Sequence, residues 1–76
     1  MKDLVAHIAR ELVDNPEKVS VAEIEGHQTS VLELKVAKED IGKVIGKQGR
    51  IAQAIRTIVS SVSAKEKKRT VLEIMD

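Results

Sequence analysis

The sequence predicts an α+β fold with the element order α-β-β-α-α-β. Three observations lead there. Apolar residues recur at helical spacing in Lys2–Asp14 and again in Arg50–Ser63. Apolar and polar residues alternate in Thr29–Val36 and in Arg69–Met75. Gly46 and Gly49 stand three apart between two apolar-periodic segments, where they break one helix and let another begin.

Each element has its own warrant. In Lys2–Asp14, Leu4, Val5, Ile8 and Leu12 share one face, and Asn15-Pro16 ends the helix because the residue before proline is pushed out of helical geometry. Lys18–Glu25 reads as a strand. Val19 and Val21 there do not share parity with Ile24, which suggests an edge strand or a bulge. Gly26-His27 make the turn. Thr29–Val36 is a stronger strand, with Leu32, Leu34 and Val36 on one face and Thr29, Val31, Glu33 and Lys35 on the other. Glu39–Ile45 reads as a short helix with Glu39 and Asp40 in its first turn, where the macrodipole favours acids. Arg50–Ser63 is the third helix, with an expected buried stripe of Ile51, Ala54, Ile55, Ile58 and Val62. Ser63–Lys68 is a polar loop. In Arg69–Met75, Leu72 and Ile74 oppose Val71, Glu73 and Met75.

The chain has 76 residues, which predicts one domain over 1–76. A domain of this size buries only about 60% of its unfolded surface. There is no cysteine, so neither a disulfide framework nor a thiolate metal site supports it, as suits a reducing cytosol. Met1–Asp14 does not read as a signal peptide, because Asp3, His7, Arg10 and Glu11 interrupt its apolar residues. No apolar run is long enough to span a bilayer. The expectation is a soluble cytoplasmic protein without membrane insertion.

The formal charge of +1 hides an asymmetry. Ile41–Arg69 holds eight cations against one acid, Glu66, a net of +7. The rest holds five cations against eleven acids, a net of −6. Cations centred on a glycine turn form an oriented footprint for an anionic partner.

The chemistry of that turn is specific in its flanks rather than its spacing. At an average glycine usage of roughly 7%, a chain this long shows Gly-x-x-Gly by chance about four times in ten. Here Gly46-Lys47-Gln48-Gly49 is followed by Arg50, and Lys43 precedes it. Backbone N–H groups at the start of the following helix favour an anion, and the cations reinforce this. A sugar-phosphate backbone suits the combination, with phosphates expected against the N–H groups of Gly49 and Arg50. Ile41, Val44 and Ile45 are expected to contribute to the groove wall. A nucleotide-hydrolysing P-loop is excluded, since Gly42 and Gly46 enclose only three residues and Gln48 stands where the Mg²⁺-holding hydroxyl belongs.

There is no aromatic residue, so bases cannot be held by stacking on Phe, Tyr or Trp. No catalytic constellation is evident. His7 and His27 lie 20 apart without cysteine partners, Ser60 and Ser61 have no His–Asp pair nearby, and Asp3, Glu11 and Asp14 read as a solvated helix face. The expectation is a non-enzyme without metal or cofactor.

Val44-Ile45-Gly46-Lys47-Gln48-Gly49-Arg50, followed by Ile51, Ile55 and Ile58, closely resembles the core of a KH domain, whose signature is I-G-x-x-G with a basic residue inside or just after it. The element order is that of a type II KH domain, and the resemblance covers nearly the whole chain. More narrowly, Leu12-Val13-Asp14-Asn15-Pro16, Val31-Leu32-Glu33-Leu34, Ile41–Arg50 and Val71-Leu72-Glu73-Ile74 resemble the small stand-alone bacterial KH-domain RNA-binding proteins. The resemblance implies a three-stranded mixed sheet covered on one face by helices. It implies binding of single-stranded RNA with little sequence preference, an RNA chaperone role and self-association. It also implies partnership with a larger KH-containing protein of the Jag type in post-transcriptional control, cell elongation, cell shape and cell-wall organisation. In the resembling family the loop between the third helix and the last strand flanks the groove, which makes Lys65, Lys67 and Lys68 secondary phosphate contacts. The alternative is a protein-interaction or dimerisation module whose glycine turn is only structural.

Self-association has a second root in area. In the third helix Ile51, Ala52, Ala54, Ile55, Ile58, Val59 and Val62 cover roughly 160° of the circumference, wider than the ~100° a surface helix needs. The excess predicts a homodimer through Arg50–Val62, with Ala52, Ile55, Arg56, Val59 and Val62 at the interface.

Overall fold

The structure is a computed structural model and describes residues 1–76. The chain forms α1 (Lys2–Leu12), β1 (Ser20–Glu25), β2 (Thr29–Lys35), α2 (Ile41–Ile45), α3 (Arg50–Lys65) and β3 (Arg69–Met75). Single 3-10 turns at Pro16–Lys18, Lys38–Asp40 and Lys47–Gly49 link them. This is the α+β order that the periodicities predict, in a three-stranded mixed sheet.

The alternation in β2 decides what the sheet buries. Leu32, Leu34 and Ser30 point to the helices and are buried, whereas Val31 and Glu33 face the open side and are half-buried. The central position of β2 makes this alternation strict, since it pairs antiparallel with β1 and parallel with β3. The β1 register runs unbroken from Ser20↔Lys35 to Glu25↔Ser30. Of the two readings offered by its parity, the edge strand therefore holds and the bulge does not. Val21 turns inward beside Leu34, and Ile24 turns to the open face beside Val31.

All helices lie on one face of the sheet. Val5 and Ala9 of α1, Val44 of α2, Ile55 and Val59 of α3 and Leu72 of β3 close one core with Leu32, Leu34 and Val36. The helix α1 ends at Leu12 rather than Asp14, because Val13 is already extended ahead of Pro16. The helix α2 starts at Ile41 rather than Glu39, and Asp40 closes a separate 3-10 turn before it.

The phase of α3 differs from the sequence reading. Its buried residues are Ala52, Ile55, Val59 and Ser63. Ile51 and Val62 are half-buried, Ala54 is exposed, and Ile58 is 41% exposed. The expected dimer surface is corrected accordingly: Ala52, Ile55 and Val59 are 3%, 2% and 1% exposed within a single chain, so none is free to meet a partner. The physical reason is that β3, at the sheet edge, draws the helix face 52-55-59-63 down onto Leu72.

Candidate nucleic-acid interface

The site begins with a backbone constraint. The helix α2 stops because Gly46 takes φ +78°, and α3 starts after Gly49 takes φ +73°. The two glycines are required for different reasons. A Cβ on Gly46 would lie 2.5 Å from Cγ1 and 2.8 Å from Cβ of Ile51, so the α2–α3 elbow closes only around a bare Cα. A Cβ on Gly49 would meet nothing within 4 Å, which leaves open space over the turn. Lys47 and Gln48 are exposed at its tip, and Gln48 also takes a left-handed conformation, φ +59°.

The hydrogen bonds of the turn determine which donors are left for a ligand. The Gly46 N–H donates to Gly42 O, Gly49 N–H to Gly46 O and Arg50 N–H to Lys47 O. The expected phosphate contacts at Gly49 and Arg50 are therefore corrected: both groups already hold the turn together. The N–H groups of Lys47 and Gln48 open the 3-10 turn and are not used by its bonds from Gly49 to Gly46 and from Arg50 to Lys47. They lie at the exposed tip, beside the side chains of Lys47 and Arg50, and are the donors an anion can reach.

Several expected contacts serve the scaffold instead. Val44 is fully buried and forms core rather than groove wall. Ile41 is half-buried and packs against the core, and Ile45 remains 37% exposed beside the turn. Lys43 points away from the turn, with its ammonium 3.2 Å from Asp14 Oδ2 and 3.7 Å from Asp40 Oδ1. The hydrogen bond and charge of Asp14, with a smaller share from Asp40, hold the Lys43 pKa above its ordinary value. Lys43 is thus a partner of acids rather than an open phosphate contact.

Asp40 is the anchor beneath α2. Its side chain is fully buried, and its oxygens accept from Asp14 N–H at 3.3 Å, Asn15 N–H at 3.0 Å and Asn15 Nδ2 at 3.0 Å. Burial pushes its pKa up. The three donors and the Lys43 ammonium more than offset this and leave the carboxyl below its ordinary value. This knot leaves no local signal in the sequence, because its members stand 25 and 26 residues apart.

Beyond the turn, α3 carries the surface onward. Gln53, Arg56, Ser60 and Ala64 recur at three- and four-residue spacing and form one stripe. That stripe borders a cleft of about 520 Å³ between the second half of α3 and β3. Arg56, Lys67, Lys68 and Arg69 line it, Val59 and Leu72 form part of its floor, and no acidic residue lines it. Thr70, Val71 and Leu72 also line it, and β3 has no strand on its outer side. Sequence reasoning placed Arg56 at a dimer rim and gave Arg69 no role. The structure puts both in this cleft with Lys67 and Lys68, while Lys65 does not line it. The signal that could have found Arg56 was its place on the Gln53 stripe.

No group of side chains here could hold a metal ion, and no helix is long and apolar enough to cross a membrane.

Comparisons with known proteins find relatives along the whole chain. The family model for the KhpA/KhpB KH domain matches residues 2–74. A Caldanaerobacter subterraneus subsp. tengcongensis protein named RNA-binding protein KhpA is 64% identical over 75 residues, covering 99% of this chain and all of the relative. Proteins of the same name from Clostridium acetobutylicum and Aquifex aeolicus are 59% and 57% identical, over 99% and 100% of this chain and 100% and 96% of their own lengths. No solved structure matches the chain. A glycine elbow between two helices on a mixed sheet, with these relatives over its full length, identifies the chain as a member of the KhpA/KhpB KH-domain family.

Proposed function

We propose that this chain is an RNA-binding protein that clamps the backbone of single-stranded RNA at Gly46-Lys47-Gln48-Gly49. The observation that carries the reading is the turn itself: the N–H groups of Lys47 and Gln48 open an exposed 3-10 turn that does not use them, beside the cations Lys47 and Arg50 and under open space at Gly49. From there the strand follows Gln53 and Arg56 into the cleft of Arg56, Lys67, Lys68 and Arg69. The unpaired edge of β3 offers N–H and C=O groups to base edges, and Arg56 offers a guanidinium plane above an aliphatic floor. With no aromatic platform, base preference is weak. The names of the relatives support the reading.

The wider role follows the family. The protein acts as a single KH domain in the cytoplasm, as an RNA chaperone in post-transcriptional control. It works alongside a larger KH-containing partner of the Jag type and bears on cell elongation and cell-wall organisation.

Self-association is retained on a different face from the one the sequence suggested. Ile58, at 41% exposure, is flanked by exposed Ala54 and half-buried Ile51 and Val62. Ile58 and Arg56 are two residues apart on α3, about 200° around its axis. A homodimer, or a heterodimer with the larger partner, that covers Ile58 leaves the Arg56 cleft open. The alternative, an interaction module with little RNA binding, uses the same face and makes no use of the cleft.

The test is fluorescence anisotropy with a labelled oligouridylate and with an RNA duplex, at rising salt. The expected result is a preference for the single strand and an affinity that falls steeply with salt. No binding at low salt would leave the interaction-module reading in its place.

A further inference from the structure

We propose that the open face of the sheet is a docking surface for a basic amphipathic helix of a partner protein. The helix seats its apolar stripe on Ile24, Val31 and Val71 and its cations over Glu33 and Glu73. This face lies on the side of the sheet opposite the three helices, away from the glycine turn and from Ile58. Strand pairing arranges its side chains in rows. Ile24 pairs with Val31 and Val31 with Val71, so three β-branched side chains form one row across the whole sheet. Ile24 is 54% exposed, more than any other large apolar residue of the chain, and Val71 is 37% exposed. Only Val71 of this row also borders the cleft along β3. The adjoining row is Ala22, Glu33 and Glu73.

The acids of that row say what covers the face. Glu33 and Glu73 stand side by side in register on parallel strands, which run about 4.8 Å apart. Like charges placed directly opposite each other destabilise a sheet. No cation of the chain relieves them: its ion pairs engage Asp14, Asp40 and Glu25 instead. Lys35 and Arg69 sit at the two ends of the same face, in register with Met75 and Thr29. A Lys or Arg from a partner neutralises the glutamate pair as its apolar neighbours cover the row. Phosphates would meet the same two carboxylates as like charges, so this face disfavours RNA.

Size sets the form of the occupant. Three strands of six or seven residues present a face of roughly 14 Å by 23 Å. That falls well short of the ~800 Å² per partner of a stable interface between two folded domains, which argues against a second copy. One helix about 10 Å across fits it and would cover the second face of the sheet as α1, α2 and α3 cover the first.

The test is an amide NMR titration with two synthetic peptides of about five helical turns, identical in their leucine stripe. One carries lysine at its polar positions and the other glutamate. The lysine peptide is expected to shift the amides of Ile24, Val31, Glu33 and Glu73 and to leave those of Lys47 and Gln48 in place, and the glutamate peptide to shift none. The double variant Glu33→Gln with Glu73→Gln should bind the lysine peptide several-fold more weakly and melt slightly above the wild type. Ile24→Thr should also bind it several-fold more weakly. Both proteins should bind labelled oligouridylate as the wild type does. A lysine peptide that shifts no amide of this face, equal binding of the two peptides, or a double variant with unchanged peptide affinity or a lower melting temperature overturns the proposal and leaves the RNA reading intact. So does a loss of RNA binding in either variant, which would put this face in the nucleic-acid groove. Sedimentation in which Ile24→Thr abolishes self-association would make the occupant a second copy and overturn it too.

Discussion

Asn15 donates both its backbone N–H and its side-chain Nδ2 to the same oxygen of Asp40, each at 3.0 Å. The pair fastens the turn after α1 to the residue that opens α2, and α2 leads directly into the glycine turn. The glycine turn is thus tied, through α2, to a buried carboxylate 25 residues away in sequence from its main partner.

The first prediction concerns that carboxylate. In Asp40→Asn an amide group would face three N–H donors, and one of them would lose its acceptor. The variant should melt several degrees lower than the wild type, and it should lose the acid-sensitive part of the wild-type stability profile. The sign follows from the direction of the shift. A carboxyl held below its ordinary pKa in the folded state contributes stability above its unfolded pKa and loses it as pH falls through the folded value. Wild-type melting temperature should therefore fall below about pH 4, and the Asp40→Asn curve should be flatter there. Melting curves across that range check both statements.

The second prediction separates the two glycines. Gly46→Ala adds a Cβ against Ile51 and strains a positive φ, and should cost about 2–5 kcal/mol. Gly49→Ala meets only the backbone term and should cost about 1–2 kcal/mol. Urea denaturation of both variants tests the order. Equal losses would mean that the elbow does not close on Ile51 as described.

The third prediction concerns α3. Val59→Lys puts an ammonium into the core and should prevent folding, because Val59 is 1% exposed. Ile58→Lys should fold and sediment as a monomer under conditions where the wild type dimerises. A folded Ile58→Lys protein that dimerises as well as the wild type would remove this face from the account.

How much of this was legible in the sequence follows physical lines. The strands β2 and β3 were legible because their alternation is regular: Leu32, Leu34 and Leu72 turn inward as their parity requires. The elbow was legible because only glycine takes both backbone conformations without penalty. The phase of α3 was not, because its apolar residues span roughly 160°, and a stripe that broad fits more than one rotation of the helix. The choice of Ala52 and Val59 over Ala54 and Ile58 is made by the neighbouring strand β3, which is distant in the pattern. Lys43 read as a cation of the turn because its partners Asp14 and Asp40 come to it only through the fold. The free donors were misassigned because a 3-10 turn after Gly46 consumes the N–H groups of Gly49 and Arg50. The cleft was half legible: its cations showed as a charge run, but not which of them share one wall.

The central claim is that the exposed tip of the turn holds the phosphate backbone, and the double variant Lys47→Asp with Gln48→Asp tests it most directly. Both residues are exposed, and aspartate tolerates the left-handed conformation of Gln48 better than most residues. The fold should survive, as circular dichroism and melting would report. Two carboxylates at the phosphate position should abolish detectable binding to labelled oligouridylate at low salt. A folded double variant that binds this RNA with wild-type affinity would contradict the account.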